Sequence, residues 1–270
     1  MGKTIFVLLD ACRFDMAKEY GGYLEHMIDA GLGAKYRVNG ELPSMSRPMY
    51  ETLMTGLTAS VHGVTGNKEV RPSRCENLFS LCRKHGLCTA AAAYHWYSDL
   101  YGKSPFDWKN DRYQLDSRSD IMHGIYYFED QYPDSHLYLD GEFLRKTYSP
   151  DFLLLHPMNI DYWGHKAGGD SGEYRQAVQT STELLASFIP TWLAEGYQVV
   201  ISADHGMDNF GIHAGDMKTQ REVPLYLFGT PYKAGSFCDY TISQLNIAPL
   251  LCKLLEIPAT GGMLSKLEIE

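Results

Sequence analysis

Short hydrophobic runs alternate along the chain with longer stretches of mixed polarity. Runs of four to eight apolar residues are typical of buried strands, and the longer stretches are typical of helices. The pattern predicts strands at residues 4–10, 88–94, 152–156, 198–203 and 224–229, and helices near residues 14–30, 78–85, 173–195 and 242–255. Continuous apolar strands separated by helices predict an α/β fold, with a mostly parallel central sheet and helices on both faces.

Residues 95–150 interrupt this alternation. The stretch is crowded with aromatic residues, among them Trp96, Trp108 and Tyr126, mixed with Asp, Gly and Pro. Two interpretations stay open, a cap that contributes to a substrate pocket or aromatic packing beneath long loops. Because the chain has no internal repeat or low-complexity linker, we expect one domain over residues 1–270, with a short insertion or cap at about 95–150.

The composition is that of an ordinary globular protein, with 44% hydrophobic and 21% charged residues. No apolar run approaches the roughly 20 residues that a membrane-crossing helix needs, and the run at residues 4–10 is too short for the core of a signal peptide. We therefore expect a cytoplasmic protein without membrane association. The six cysteines form no CxxC pair and are expected to be reduced.

The net charge of −9 and the lack of a basic run argue against binding of a nucleic-acid polymer. A small anionic substrate is still compatible with this charge, because bound cations dominate the electrostatics of a site.

Carboxylates and imidazoles follow the ends of the predicted strands. In a parallel sheet these ends meet at one edge, where ligands bind. Each residue alone would more often be a cap or a surface residue, but together three carboxylates and three histidines predict a two-metal site. They are Asp10, Asp161, His165, Asp204, His205 and His213. Oxygen and nitrogen ligands without cysteine suit two divalent cations, zinc first, with manganese or magnesium as alternatives.

A candidate nucleophile lies in the hydroxyl-rich residues 43–67. Ser46 precedes Pro48, which is tolerated in a first helical turn, and a helix-like run follows. A serine at this point faces the positive end of the helix dipole, and a cation would lower its pKa. Two alternatives stay open: Ser46 is only the N-cap of the helix, or Ser44 is the reactive hydroxyl.

The chain contains the motifs LLDACR, PSMSRPMYETLMTGLTASVHGVTGN, NIDYWGH, SADHGM and GIHAGD. These motifs resemble the alkaline phosphatase superfamily and are closest to its type I phosphodiesterase/nucleotide pyrophosphatase branch, which includes phosphonoacetate hydrolases. They occur in the family's order, and the resemblance covers most of the chain apart from about residues 95–145.

The resemblance implies a division of the ligands between two metals. One metal would be held by Asp161, His165 and His213, and the other by Asp10, Asp204 and His205, with Ser46 bridging towards it as nucleophile. It also implies hydrolysis of phosphate esters, of the phosphodiester or nucleotide pyrophosphate type, through a phosphoserine intermediate. The substrate would be a small phosphorylated or phosphonate molecule.

Two positions depart from the family's pattern. In the family, an asparagine shortly after the nucleophile contacts a phosphoryl oxygen, and the corresponding residue in this chain is Met49. Arg47 beside Ser46 is a candidate replacement with a charged, bidentate contact, which would favour a monoester or phosphonate over a diester. The alternative is that Arg47 pairs with a carboxylate elsewhere.

Other activities fit less well. A sulfatase would need a proline in its nucleophile motif that Ser44-Met45-Ser46-Arg47 lacks, and a phosphomutase would need a further domain. A non-catalytic metal-binding relative stays as the alternative from another class. The sequence leaves His95 and His156 unassigned, and leaves the oligomeric state open, with a homodimer among the alternatives.

Overall fold

The computed structural model describes residues 2–260, 262–264 and 266–269. Within them the chain forms nine strands and eleven α-helices. The strands are β1 (Lys3–Leu8), β2 (Gly33–Asn39), β3 (Thr89–Tyr94), β4 (Tyr113–Gln114), β5 (His123–Tyr127), β6 (Phe152–Leu155), β7 (Tyr197–Ser202), β8 (Glu222–Phe228) and β9 (Gly235–Ser243). The helices are α1 (Phe14–Tyr20), α2 (Gly22–Asp29), α3 (Ser46–Thr55), α4 (Ala59–His62), α5 (Leu78–Lys84), α6 (Trp96–Tyr101), α7 (Asp134–Tyr148), α8 (Asn159–Ala167), α9 (Gly172–Ala194), α10 (Lys218–Arg221) and α11 (Ile247–Leu254).

All nine strands join one sheet in the order β4-β5-β3-β6-β1-β7-β8-β2-β9. The central strands β5, β3, β6, β1 and β7 are parallel, while β8 and β4 run antiparallel to their neighbours. Helices α7 and α9 pack on the sheet with α1 and α2 beside α9, whereas α5 and α11 pack against β3 and β1 together with α3. The predicted fold class, a mostly parallel sheet with helices, is confirmed.

The register of the central strands brings their ends to one level. Val7 of β1 pairs with Leu155 of β6 and with Ile201 of β7. These strands are mostly apolar and, apart from Lys3 and Gln198, buried, because neighbouring strands and helices cover them. The polar residues that follow the three strands therefore meet at the same edge of the sheet. They are Asp10, His156 and Asp204.

The predicted strands match β1, β3, β6, β7 and β8 to within a few residues. The predicted helix at residues 14–30 is two helices, because the chain turns at Gly21 between α1 and α2. The predicted final helix begins too early: residues 242 and 243 belong to β9, and a 3-10 turn at Gln244–Asn246 precedes α11.

Residues 95–150 contain α6, β4, β5 and α7. Strand β5 pairs in parallel with β3, and β4 forms a short antiparallel strand beside β5. Many aromatic side chains of the stretch are buried, including Tyr97, Tyr126 and Tyr138, while Trp108 is more than half exposed. Much of the segment therefore extends the sheet and its helical cover.

Among the described residues, none of the helices has both the length and the apolar character needed to cross a bilayer.

Candidate metal centre

The inner cluster consists of Asp10, Asp204 and His205, which follow β1 and β7. All three side chains are fully buried. The Nε2 atom of His205 lies 3.3 Å from Oδ2 of Asp204 and 3.5 Å from Oδ1 of Asp10. The other Asp204 oxygen accepts hydrogen bonds from the backbone N–H groups of Ala11 and His205, at 3.0 and 2.9 Å, which fixes the carboxylate.

The outer cluster consists of Asp161, His165 and His213. Asp161 and His165 lie four residues apart on α8, and so on one face of the helix. The Nε2 atom of His165 lies 3.4 Å from Asp161 Oδ1 and 3.2 Å from Nε2 of His213. The loop that carries His213 packs tightly on α8: Gly211 has a φ of +76°, and a Cβ there would lie 2.7 Å from the Gly164 carbonyl oxygen.

Each of the three histidines holds its Nδ1 atom against a backbone carbonyl. The partners are Gly206 for His205 at 2.9 Å, Gly211 for His165 at 2.8 Å and Ser44 for His213 at 3.0 Å. Because a carbonyl only accepts, Nδ1 carries the proton and the Nε2 lone pair points into the site. This is the arrangement that metal-binding histidines adopt.

Buried polar atoms without partners show that the residues fit divalent cations. Oδ1 of Asp10, Oδ1 of Asp161 and Oδ2 of Asp204 are buried and accept no hydrogen bond. The facing Nε2 lone pairs of His165 and His213 also repel each other unless a cation lies between them. Two sets of ligand atoms converge within 4.8 Å, namely Asp10, Asp204 and His205, and Asp161, His205 and His213. His205 belongs to both sets, and its ring stacks on that of His213 at 4.0 Å.

The pKa shifts follow from crowding of like charges in a buried site. Burial, and then the charge of Asp10, raise the pKa of Asp161 and of Asp204 well above the ordinary range. Burial would also raise the pKa of Asp10, but the hydrogen bond from His156 and the nearby imidazoles hold it at about 2. Burial lowers the pKa of His213 to about 3, so its imidazole is neutral. A neutral imidazole is the form that binds a cation, and the raised pKa values of Asp161 and Asp204 mean that a bound cation would displace protons from these carboxyl groups.

Two residues that sequence reasoning missed hold Asp10 in place. Nε2 of His156 lies 3.0 Å from Oδ2 of Asp10, and the Tyr50 hydroxyl donates to the same oxygen at 2.6 Å. The Tyr127 hydroxyl in turn lies 3.2 Å from Nδ1 of His156 and donates to its carbonyl oxygen at 2.7 Å. His156 was detectable in principle, because it follows β6 as Asp10 follows β1.

Ser46 lies beside the inner cluster. Its Oγ is 3.1 Å from Nε2 of His205. Met45, not Ser46, occupies the N-cap position of α3, and no side chain caps that helix. The Ser44 hydroxyl points elsewhere, donating to the carbonyl oxygen of Gly215 at 2.7 Å. Of the two hydroxyl groups, that of Ser46 is therefore the one brought to the site.

Two roles were predicted for Arg47, contact with the phosphoryl group or pairing with a carboxylate, and in the structure it pairs with a carboxylate. Its side chain is 1% exposed, and the guanidinium lies 3.1 Å from Oδ2 of Asp99 and over the Trp96 ring at 4.7 Å. Met49 is fully buried. The polar side chain beside this turn is instead that of Asn67, whose Oδ1 accepts from the Arg47 backbone N–H at 3.0 Å.

The mostly parallel sheet with carboxylates and imidazoles at its strand ends is the arrangement expected of the alkaline phosphatase superfamily. Within it, the family model described as type I phosphodiesterase/nucleotide pyrophosphatase matches residues 4–219. The chain therefore belongs to this family, and the predicted resemblance is confirmed.

Curated relatives are GPI ethanolamine phosphate transferases by name. The chain is 28% identical to the catalytic subunit of GPI ethanolamine phosphate transferase 3 of Mus musculus, over 96% of this chain and 25% of that protein. It is 20% identical to GPI ethanolamine phosphate transferase 2 of Aspergillus fumigatus, over 95% of this chain and 35% of that protein. The chain thus spans about a quarter to a third of the length of these relatives.

Solved structures share the fold. Murine ectonucleotide pyrophosphatase/phosphodiesterase 5, in an inactive form with AMP, superposes with a TM-score of 0.76 at 14% identity, over 96% of each chain. The human protein of the same name gives a TM-score of 0.74, also at 14% identity and 96% coverage of each chain.

Proposed function

We propose that this chain hydrolyses phosphate esters, of the phosphodiester or nucleotide pyrophosphate type, through a phosphoserine on Ser46. One observation carries the proposal: the Ser46 hydroxyl lies 3.1 Å from Nε2 of His205, the residue that belongs to both ligand sets. The family supports hydrolysis of phosphate esters as the general chemistry.

The ligands proposed for one divalent cation are Asp10, Asp204 and His205, and those for the other are Asp161, His165 and His213, with His205 close enough to contribute to the second as well. Zinc suits this mixture of carboxylate and imidazole, with manganese or magnesium as alternatives. When bound, such cations lower the pKa of the serine hydroxyl and neutralise the charge of the phosphoryl group.

The chain's own residues orient the reaction. Ser46 is the first residue of the ten-residue helix α3, so its hydroxyl and the phosphoryl group lie at the positive end of the helix dipole. The bond between Nδ1 of His205 and the Gly206 carbonyl fixes the imidazole beside Ser46. Asn67 accepts from the Arg47 backbone with its carbonyl oxygen, which leaves its amide N–H groups to donate to a phosphoryl oxygen.

A diester substrate is favoured by the state of Arg47. A preference for a monoester or phosphonate would require a guanidinium that is free to bind a doubly charged group. Here Arg47 is buried and its charge is balanced by Asp99. A neutral amide such as that of Asn67 suits a diester, which carries a single negative charge.

Transfer to an alcohol is a second candidate function, favoured by the names of the curated relatives. The phosphoserine would form in the same way, and an alcohol would replace water in the second step. Added ethanolamine or another alcohol would then divert the product from the free phosphate to a new ester.

The test compares Ser46→Ala with Ser44→Ala in protein reloaded with zinc, manganese or magnesium. Loss of the nucleophile should lower turnover of bis-p-nitrophenyl phosphate by about 10³-fold or more, whereas Ser44→Ala should lower it by less than about tenfold. Metal analysis should find both cations in each variant. The assignment is wrong if Ser44→Ala is the inactive variant, and a wild type inactive on diester, monoester and phosphonate alike would favour the non-catalytic alternative.

A further inference from the structure

An acidic side chain lies at the rim of the proposed catalytic site, on the loop between β5 and α7. Asp130 is exposed, and its Oδ1 accepts a hydrogen bond from the Tyr94 hydroxyl at 2.9 Å. Tyr94 is the last residue of β3, at the same edge of the sheet as the metal clusters. The next residue, Gln131, accepts from the hydroxyl of Tyr162 at 3.4 Å, and Tyr162 is adjacent to Asp161 in α8. The loop therefore places Asp130 between the end of β3 and the outer cluster.

The carboxylate of Asp130 has no cationic partner: within the described ranges, no Lys, Arg or His forms a salt bridge with it. Arg47, on the same side, is already paired with Asp99, and burial lowers the pKa of His95 to about 4, so that its imidazole is neutral.

An unbalanced carboxylate is unfavourable at the rim of a site for an anionic phosphoryl group. It repels the substrate unless the substrate also carries a positive charge at that position. The Tyr94 ring, whose hydroxyl donates to this carboxylate, belongs to an aromatic cluster: its centroid lies 5.1 Å from that of Trp96 and 5.4 Å from that of Tyr127. Carboxylate and aromatic faces together are the surroundings that bind an ammonium group.

We propose that Asp130, positioned by Tyr94, binds the ammonium group of a phosphate ester that bears a short aminoalkyl substituent. This inference rests on the proposed function and names its substrate class. The class agrees with the ethanolamine phosphate in the names of the curated relatives.

The test uses two diesters of equal size, p-nitrophenyl aminoethyl phosphate and p-nitrophenyl propyl phosphate, in which an ammonium replaces a methyl group. An exposed ion pair with an aromatic contact is worth a factor of about ten, so kcat/KM should favour the aminoethyl ester by about tenfold, mainly through KM. Asp130→Asn should reduce this ratio to about one and should raise kcat/KM for the propyl ester, because the repulsion is removed. Glu129→Gln is the matched control, since it removes an exposed charge from the same loop and should keep the ratio near that of the wild type.

A wild type that does not discriminate between the esters, or an Asp130→Asn variant that still does, would overturn the inference. If neither ester is hydrolysed, the proposed function fails, and binding decides the inference separately. Calorimetry on the zinc-loaded protein would then compare phosphoethanolamine with propyl phosphate. A preference for phosphoethanolamine that Asp130→Asn removes supports the ammonium site, and equal affinities refute it.

Discussion

The inner and outer clusters differ in how the chain holds their ligands. The inner ligands are fully buried and follow two adjacent strands, β1 and β7. The outer ligands come from α8 and from the loop that carries His213, and the side chain of His165 is 46% exposed. The inner ligands are fixed by the sheet itself, whereas the outer ones depend on contacts between separate segments.

This difference indicates that the inner cluster is the more rigid part of the site. Asp10 receives hydrogen bonds from two buried side chains, while the hydrogen-bond partners of Nδ1 in His165 and His213 are the backbone carbonyls of Gly211 and Ser44. A ligand set held by a packed sheet loses less entropy on binding a cation than one held by a loop. We therefore expect the inner cation to be bound tightly and the outer cation to exchange more readily.

The largest expected effect comes from removing single histidines, which tests the difference between the inner and outer clusters. Because His205 belongs to both ligand sets, His205→Ala should weaken binding of both cations by at least about 100-fold. His165→Ala should release only the outer cation. Metal analysis after dialysis, with a chelator titration, measures the two losses. Equal stoichiometry in the two variants would contradict the division into a shared and an outer ligand.

For the inner cluster the sequence signal is local. An apolar run that ends in Asp predicts both the strand and the position of the candidate ligand, as for Asp10 and Asp204. Strands β2, β4, β5 and β9 were not predicted; in β2 and β9, polar residues such as Lys35 and Asp239 interrupt any apolar run.

Contacts between distant segments could not be predicted in the same way. The bond between His156 and Asp10 depends on β6 lying next to β1, which the order of strands along the chain does not specify. The pairing of Arg47 with Asp99 likewise requires α6 to pack beside α3. The roles assigned to the ligands and to Ser46 stay predictions.

A smaller effect is expected from His156→Gln, which removes the imidazole bound to Asp10. Groups that orient a ligand typically change metal affinity by about 10- to 100-fold, and the loss should fall on the inner cation. His123→Gln is a matched control, because His123 is also buried but stacks on Tyr148 at the edge of the sheet. Competition with a chromogenic chelator measures the affinities. A similar loss in both variants would indicate a general effect of destabilising the fold.

The last effect is on the stability of the fold and concerns the start of α8, the helix of the outer cluster. Asp134 and Asn159 bind each other reciprocally, each backbone N–H donating to the other's side-chain oxygen at 3.2 Å. Burial raises the pKa of Asp134 to about 7, whereas Asp10 in the inner cluster has a pKa of about 2. The anchor of the outer helix is therefore a carboxyl group that ionises near neutral pH.

The sign of the pH dependence follows from this raised pKa. The folded protein keeps a proton on Asp134 that the unfolded chain releases above about pH 4. Its contribution to stability is full below that pH and is lost as pH rises towards 7, by on the order of a few kcal/mol. Asp134→Asn keeps an acceptor oxygen and removes the charge, so the variant should gain stability relative to the wild type between pH 5 and 8, as measured by urea unfolding of metal-free protein. Asp29→Asn, an exposed position on α2, should show no such trend. If the two variants behave alike, Asp134 does not control the outer helix, and the contrast between the clusters rests on their ligands alone.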